Sequence, residues 1–138
     1  MKGIDALIKL HQFELDEKRR TLKELETTRA SIATAIEMLE KDVLREQEAA
    51  RSSESGYAYG AFADASIKRR ERLEKALGDA ATQVDTAREV VMEAFGEFKK
   101  YEFTKAARDE ASRKEAARRD GIVQNELGAI AFERNRRR

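Results

Sequence analysis

The sequence predicts an all-α protein, a long antiparallel two-helix coiled-coil hairpin with a C-terminal helical overhang. Its 138 residues include no proline, and charged residues make up 40% of the chain, which suits long helices better than a globular core. Apolar residues recur at heptad a and d positions in two stretches, and a stretch rich in Ser and Gly separates them. These observations indicate a single coiled-coil domain over residues 1–138.

The first helix is predicted over residues 4–51. Ten of its fourteen a and d positions are apolar. A narrow apolar stripe of this kind would be exposed to water on an isolated helix, so a second helix must cover it. We call the a and d positions the seam; in this helix they are Ile4, Ile8, His11, Leu15, Lys18, Leu22, Leu25, Arg29, Ile32, Ile36, Leu39, Val43, Glu46 and Ala50.

A turn is predicted over residues 52–61. Serine competes for backbone hydrogen bonds and glycine permits positive φ, so a cluster of the two favours a chain reversal. The cluster consists of Ser52, Ser53, Ser55, Gly56 and Gly60. Tyr57 and Tyr59 lie in this stretch and Phe62 directly follows it. These three aromatic residues either close the open end of the seam or form an aromatic contact for a partner.

The second helix is predicted over residues 62–120. A register that sets a against d and centres the turn on residue 58 places Leu39 opposite Leu77. It also places Glu46 opposite Arg70 and His11 opposite Lys105. The seam positions of this helix are Ala63, Ser66, Arg70, Leu73, Leu77, Ala80, Val84, Ala87, Val91, Ala94, Phe98, Tyr101, Lys105 and Arg108.

A C-terminal extension is predicted over residues 121–138. In the predicted register Ile4 faces Ser112, so residues from Arg113 onward have no opposite helix. The extension contains an apolar cluster that either folds back or binds a partner, and a basic end that is a candidate for contact with an acidic protein surface. The cluster is Ile122, Val123, Leu127, Ile130 and Phe132, and the basic residues are Arg134, Arg136, Arg137 and Arg138.

The composition gives little support for catalysis or ligand binding. The chain has one histidine, no cysteine and no glycine-rich phosphate loop. His11 is interpreted as a polar layer of the seam. We therefore predict a protein that is not an enzyme, with no catalytic, cofactor-binding or metal-binding residues.

Charge and hydropathy argue against two further classes. The net charge of +1 argues against nucleic acid as a partner. The basic run from Lys68 to Lys75 is partly offset by Glu71 and Glu74 and is interpreted as a solvated helix face. With no apolar run of 18 residues and no signal-peptide pattern, we expect a cytoplasmic protein without membrane insertion.

Several short segments share their pattern with one family of coiled-coil proteins. They are Leu7-Ile8-Lys9-Leu10-His11, Phe13 to Arg20, Gly56 to Gly60, Arg69 to Leu73, Phe98 to Tyr101 and Ala129 to Arg134. Together they span most of the chain. They resemble the flagellar export protein FliJ family, in the form found in alphaproteobacteria.

The resemblance implies a stalk of the type III protein export apparatus of the flagellum. Such proteins are helical hairpins similar to the rotor shaft of the rotary ATPases. They insert in the hexameric export ATPase and promote its assembly, link it to the membrane export gate and handle export chaperones. The expected location is the cytoplasmic side of the inner membrane at the flagellar base.

The resemblance also implies where the gate would be contacted. The stretch Leu73-Glu74-Lys75-Ala76 is similar to the gate-contacting stretch of the family, which makes Leu73 and Ala76 candidate partner-binding residues. Leu73 is also a seam position, so a purely structural role is the alternative for it.

Other functions are compatible with the same pattern. The chain could be the stalk of a virulence-type secretion system, which has the same architecture, or a generic coiled-coil adaptor. A nucleic-acid-binding hairpin is a third possibility, and it predicts steeply salt-dependent DNA binding.

Overall fold

A computed structural model describes residues 2–52 and 56–137, with the side chains of residues 3–51 and 58–137. Helix α1 spans Lys2–Ser52 and helix α2 spans Gly56–Arg136. The two helices pack against each other, and the described residues contain no strand, so the predicted all-α fold is confirmed. Contacts divide the chain into two units, residues 1–12 with 96–138 and residues 13–95.

The second helix is longer at both ends than the sequence predicts. It begins at Gly56 rather than residue 62 and continues through Gly121 and Gly128 to Arg136. Glycine costs about 1 kcal/mol relative to alanine in a helix interior, which neighbouring helix formers can offset. The predicted turn over residues 52–61 is therefore wrong at Ser52, the last residue of α1, and from residue 56 onward. Residues 53–55 lie outside the described residues.

The seam is the core of both units. Every buried residue of the described chain occupies a predicted a or d position. These residues are Ile4, Leu15, Leu39, Ser66, Ala80, Val84, Ala87 and Phe98. The charged seam residues Lys18, Glu46 and Arg70 are exposed, because their long side chains carry the charge out to water.

The observed register differs from the prediction by about one heptad. In residues 13–95, Arg70 pairs with Glu40, with 2.8 Å between Nη2 and Oε1, instead of facing Glu46. In the other unit, Lys105 pairs with Asp5 instead of facing His11, with 2.6 Å between Nζ and Oδ1. These pairs fit a register in which Leu39 faces Arg70 rather than Leu77.

The early start of α2 explains this shift. Helical residues 56–61 shorten the connection, so each α1 residue meets an α2 residue earlier in the chain than predicted. A shift of seven leaves every a and d position on the seam, which is why the buried set is still correct. His11 stacks on Tyr101 instead of facing Lys105, and the centroids of the two rings are 4.6 Å apart.

The shifted register also lengthens the overhang. In α2, residues 106–136 are exposed except for the half-buried Glu115, whereas the sequence predicts an overhang that starts at Arg113. The extension does not fold back; it is a continuation of α2 as far as Arg136. Within the described part of the chain, neither helix has a stretch long and apolar enough to span a membrane.

Two leucines of α1 test the seam. Leu39 is 7% exposed and Leu44 is 60% exposed. We expect Leu39→Ala to lower the free energy of unfolding by about 2–5 kcal/mol, because it removes buried methyl groups and leaves a cavity. Leu44→Ala is the matched control, with an expected change within about 0.5 kcal/mol.

Urea unfolding followed by circular dichroism at 222 nm measures both changes. Equal destabilisation by the two substitutions would contradict the assignment of Leu39 to the core.

Candidate partner-binding surfaces

The overhang of α2 keeps its helical form without a facing helix. Ion pairs along its own surface reinforce it: Arg113 donates to Glu110 and Arg118 to Glu115, each with 2.7 Å between Nη2 and Oε1. The hydrogen bond from Arg113 lowers the pKa of Glu110, and that from Arg118 lowers the pKa of Glu115. These pairs lie at i,i+3 spacing and so support the helix locally.

Three apolar residues of the overhang lie on one face. Val123, Leu127 and Ile130 follow at spacings of four and three, which brings them together on a helix. Their exposed fractions are 53%, 60% and 54%. Arg134 continues the same face at the next spacing of four, and we call these four residues the terminal stripe.

The predicted cluster is only partly brought together. Phe132 is two residues beyond Ile130, about 200° around the helix, and therefore lies on the opposite face. Ile122 lies about 100° to the side of Val123. Both are exposed, at 68% and 44%, but neither belongs to the stripe.

The basic end provides free positive charge. Arg137 pairs with Glu133, with 3.8 Å between Nη2 and Oε2. Among the described residues Arg134 and Arg136 form no ion pair, and Arg134 lines a shallow groove with Ile130 and Arg137. Arg138 lies outside the described residues. The apolar stripe therefore ends in a guanidinium group that is available to an external carboxylate.

The two residues carried over from the resemblance are less accessible. Leu73 and Ala76 are both half-buried, Leu73 at a seam position and Ala76 beside it. Packing against α1 accounts for the burial of Leu73 without a partner.

An apolar groove between α1 and α2 is a surface that sequence reasoning missed. It has a volume of about 380 Å³. It forms where small residues of α2, Ala63 and Ser66, occupy seam positions, while Leu44 and Ile67 stand on its rims at 60% and 58% exposure. The lining residues are Leu39, Glu40, Val43, Leu44, Gln47, Tyr59, Ala63, Ser66, Ile67 and Arg70.

Both ends of the apolar groove are defined by polar side chains. Arg70 donates to Glu40 at 2.8 Å and to Glu74 at 3.0 Å, which fixes its guanidinium across one end. Tyr59 lines the other end. The available sequence signal was the pair of large apolar residues, Leu44 and Ile67, at heptad positions that are usually polar.

Comparison with family models, curated proteins and solved structures finds no match to this chain. Among the described residues, no group of three or more His, Asp or Glu side chains is arranged to hold a metal ion. The terminal stripe and the apolar groove are therefore the features from which we infer function.

The ion pair between Asp5 and Lys105 lies where the overhang begins. The hydrogen bond from Lys105 lowers the pKa of Asp5. The stability that this pair contributes is therefore present above the ordinary aspartate pKa of about 3.9 and is lost as the pH falls through the lowered value.

We expect NMR titration of the Asp5 carboxyl to give a pKa below the ordinary aspartate value, and Lys105→Met to return it toward that value. Lys114→Met, at an exposed position of the overhang, is the control and leaves the pKa of Asp5 unchanged. An unchanged pKa in Lys105→Met would show that the pair does not form in solution.

Proposed function

We propose that this protein is a coiled-coil stalk of the flagellar type III protein export apparatus. Its overhang inserts into the hexameric export ATPase and promotes assembly of the ring. The observation that carries the proposal is the terminal stripe, an exposed apolar face on a helix that has no facing helix. The sequence resemblance described above supplies the identity of the apparatus.

The dimensions of the overhang suit insertion into a narrow pore. Residues 106–136 form a single helix about 45 Å long at 1.5 Å per residue, and a single helix with its side chains is about 10–12 Å wide. Exposed contiguous apolar residues on a helix are typical of a protein-binding surface. Arg134 next to them can form a charge-assisted hydrogen bond with a carboxylate of the pore.

The rest of the hairpin links the ATPase to the export gate and meets export chaperones. Leu73 and Ala76 are the proposed gate contacts. Because both are half-buried, contact there requires a partner that reaches the edge of the seam. The stalk acts mechanically, with no cofactor and no reaction of its own, on the cytoplasmic side of the membrane at the flagellar base.

The test adds the purified chain to a flagellar export ATPase. We expect a larger hexamer fraction by light scattering and faster ATP hydrolysis. Ile130→Asp should abolish both effects, because an unpaired carboxylate buried in an apolar contact costs several kcal/mol. Met92→Asp, at a site that is 73% exposed and outside the overhang, is the matched control and keeps both effects.

Unchanged hexamer formation and hydrolysis in the presence of excess protein would contradict the proposal. Stimulation of a virulence-type ATPase, but not of the flagellar one, would assign the stalk to the other system.

A further inference from the structure

The surroundings of the apolar groove are rich in carboxylates. On α1, Glu37 and Glu40 precede Leu44 by seven and four positions, so they lie on the same side of the helix. On α2, Asp64 and Glu71 lie three positions before and four positions after Ile67. The bases on these same faces are Arg70, Lys41 and Arg51, and Arg70 is already shared by Glu40 and Glu74. Arg45 and Lys68 each lie about 100° around the helix from the rim residue beside them. The groove therefore favours an occupant that is apolar and basic.

The terminal stripe has this chemistry. Its apolar part extends over eight residues, from Val123 to Ile130, or about 10 Å along a helix. The groove extends over a similar length of α1, from Leu39 to Gln47. Arg134 follows the apolar part of the stripe on the same face.

We propose that the terminal stripe of one copy of this chain docks in the apolar groove of a second copy. Val123, Leu127 and Ile130 would cover Leu44 and Ile67 as a third helix on the two-helix seam, and Arg134 would face the carboxylates of the rim. The proposal goes beyond the stalk function, in which a single copy enters the ATPase.

The contact joins two different surfaces, so it is heterologous and leaves one groove and one stripe unused at the ends of an open assembly. Few residues take part, which places the interface in the small, weak class. We expect association in the range of about 10–100 µM, weakened by salt because exposed charges on the rim are screened.

Sedimentation velocity of the full chain between about 5 and 500 µM is the primary measurement. The expected result is a mass above the monomer that grows with concentration and falls in about 0.5 M salt. Leu44→Asp damages the groove and Ile130→Asp damages the stripe, so each variant alone should be monomeric. Met92→Asp is the control and associates like the unmodified chain. Circular dichroism shows that each variant is folded.

Mixing the two damaged variants is the decisive experiment. The intact stripe of Leu44→Asp can dock in the intact groove of Ile130→Asp, so the mixture should form dimers that neither variant forms alone. Failure of the mixture to dimerise would overturn the proposal, as would a monomeric unmodified chain across the whole range. Association that is lost in Ile130→Asp but retained in Leu44→Asp would show stripe-to-stripe pairing and would also overturn it.

The result can be separated from that of the ATPase test. Leu44 lies outside the overhang that is proposed to enter the ATPase. Loss of self-association in Leu44→Asp therefore tests the docking of one copy on another and does not depend on ATPase binding. If the mixture dimerises while the ATPase is not stimulated, the stalk function fails and the self-docking proposal stands.

Discussion

Burial of a narrow seam between α1 and α2 is the constraint on which the rest of the molecule depends. Among the residues whose side chains the structure describes, few are buried, and Leu15 and Val84 are the two large ones with almost no exposure. Ala80 and Ala87 fill their seam positions with little volume. A core this thin tolerates few losses, so the charged seam residues must place their charge in water rather than between the helices. Both candidate surfaces arise where the seam is incomplete.

The sequence was sufficient to predict the seam but not the pairing of its layers. Heptad periodicity shows which face of each helix is apolar, and it is insensitive to a shift by seven residues. The predicted register places large apolar residues opposite each other, as with Leu39 and Leu77. The observed register is set instead by the early start of α2, since Gly56 and Gly60 continue the helix rather than break it. The low helix propensity of glycine is a weak preference, and helix formation by the residues that follow can override it.

The two candidate surfaces also differ in whether the sequence predicts them. The apolar residues of the overhang were visible in the sequence because they recur beyond the end of the hairpin. Helical spacing then separates Val123, Leu127 and Ile130 from Phe132, which only the continuity of α2 establishes. The groove could not be predicted from the sequence, because it is a space left between side chains of two helices and not a pattern of residues in one of them. It depends on where Ala63 and Ser66 meet α1, and therefore on the register.

The unpaired part of α2 has a dynamic consequence. Gly121 and Gly128 lie on either side of Val123 and Leu127, and a methyl group added at either glycine would meet nothing within 4 Å. A lone helix in water is marginal, and each of these glycines costs it about 1 kcal/mol relative to alanine. Amide hydrogens of residues 106–136 should thus exchange with solvent faster than those of the paired helices. Any occupant of the stripe that orders this segment would slow their exchange, so binding there would be visible as protection far beyond the residues it touches.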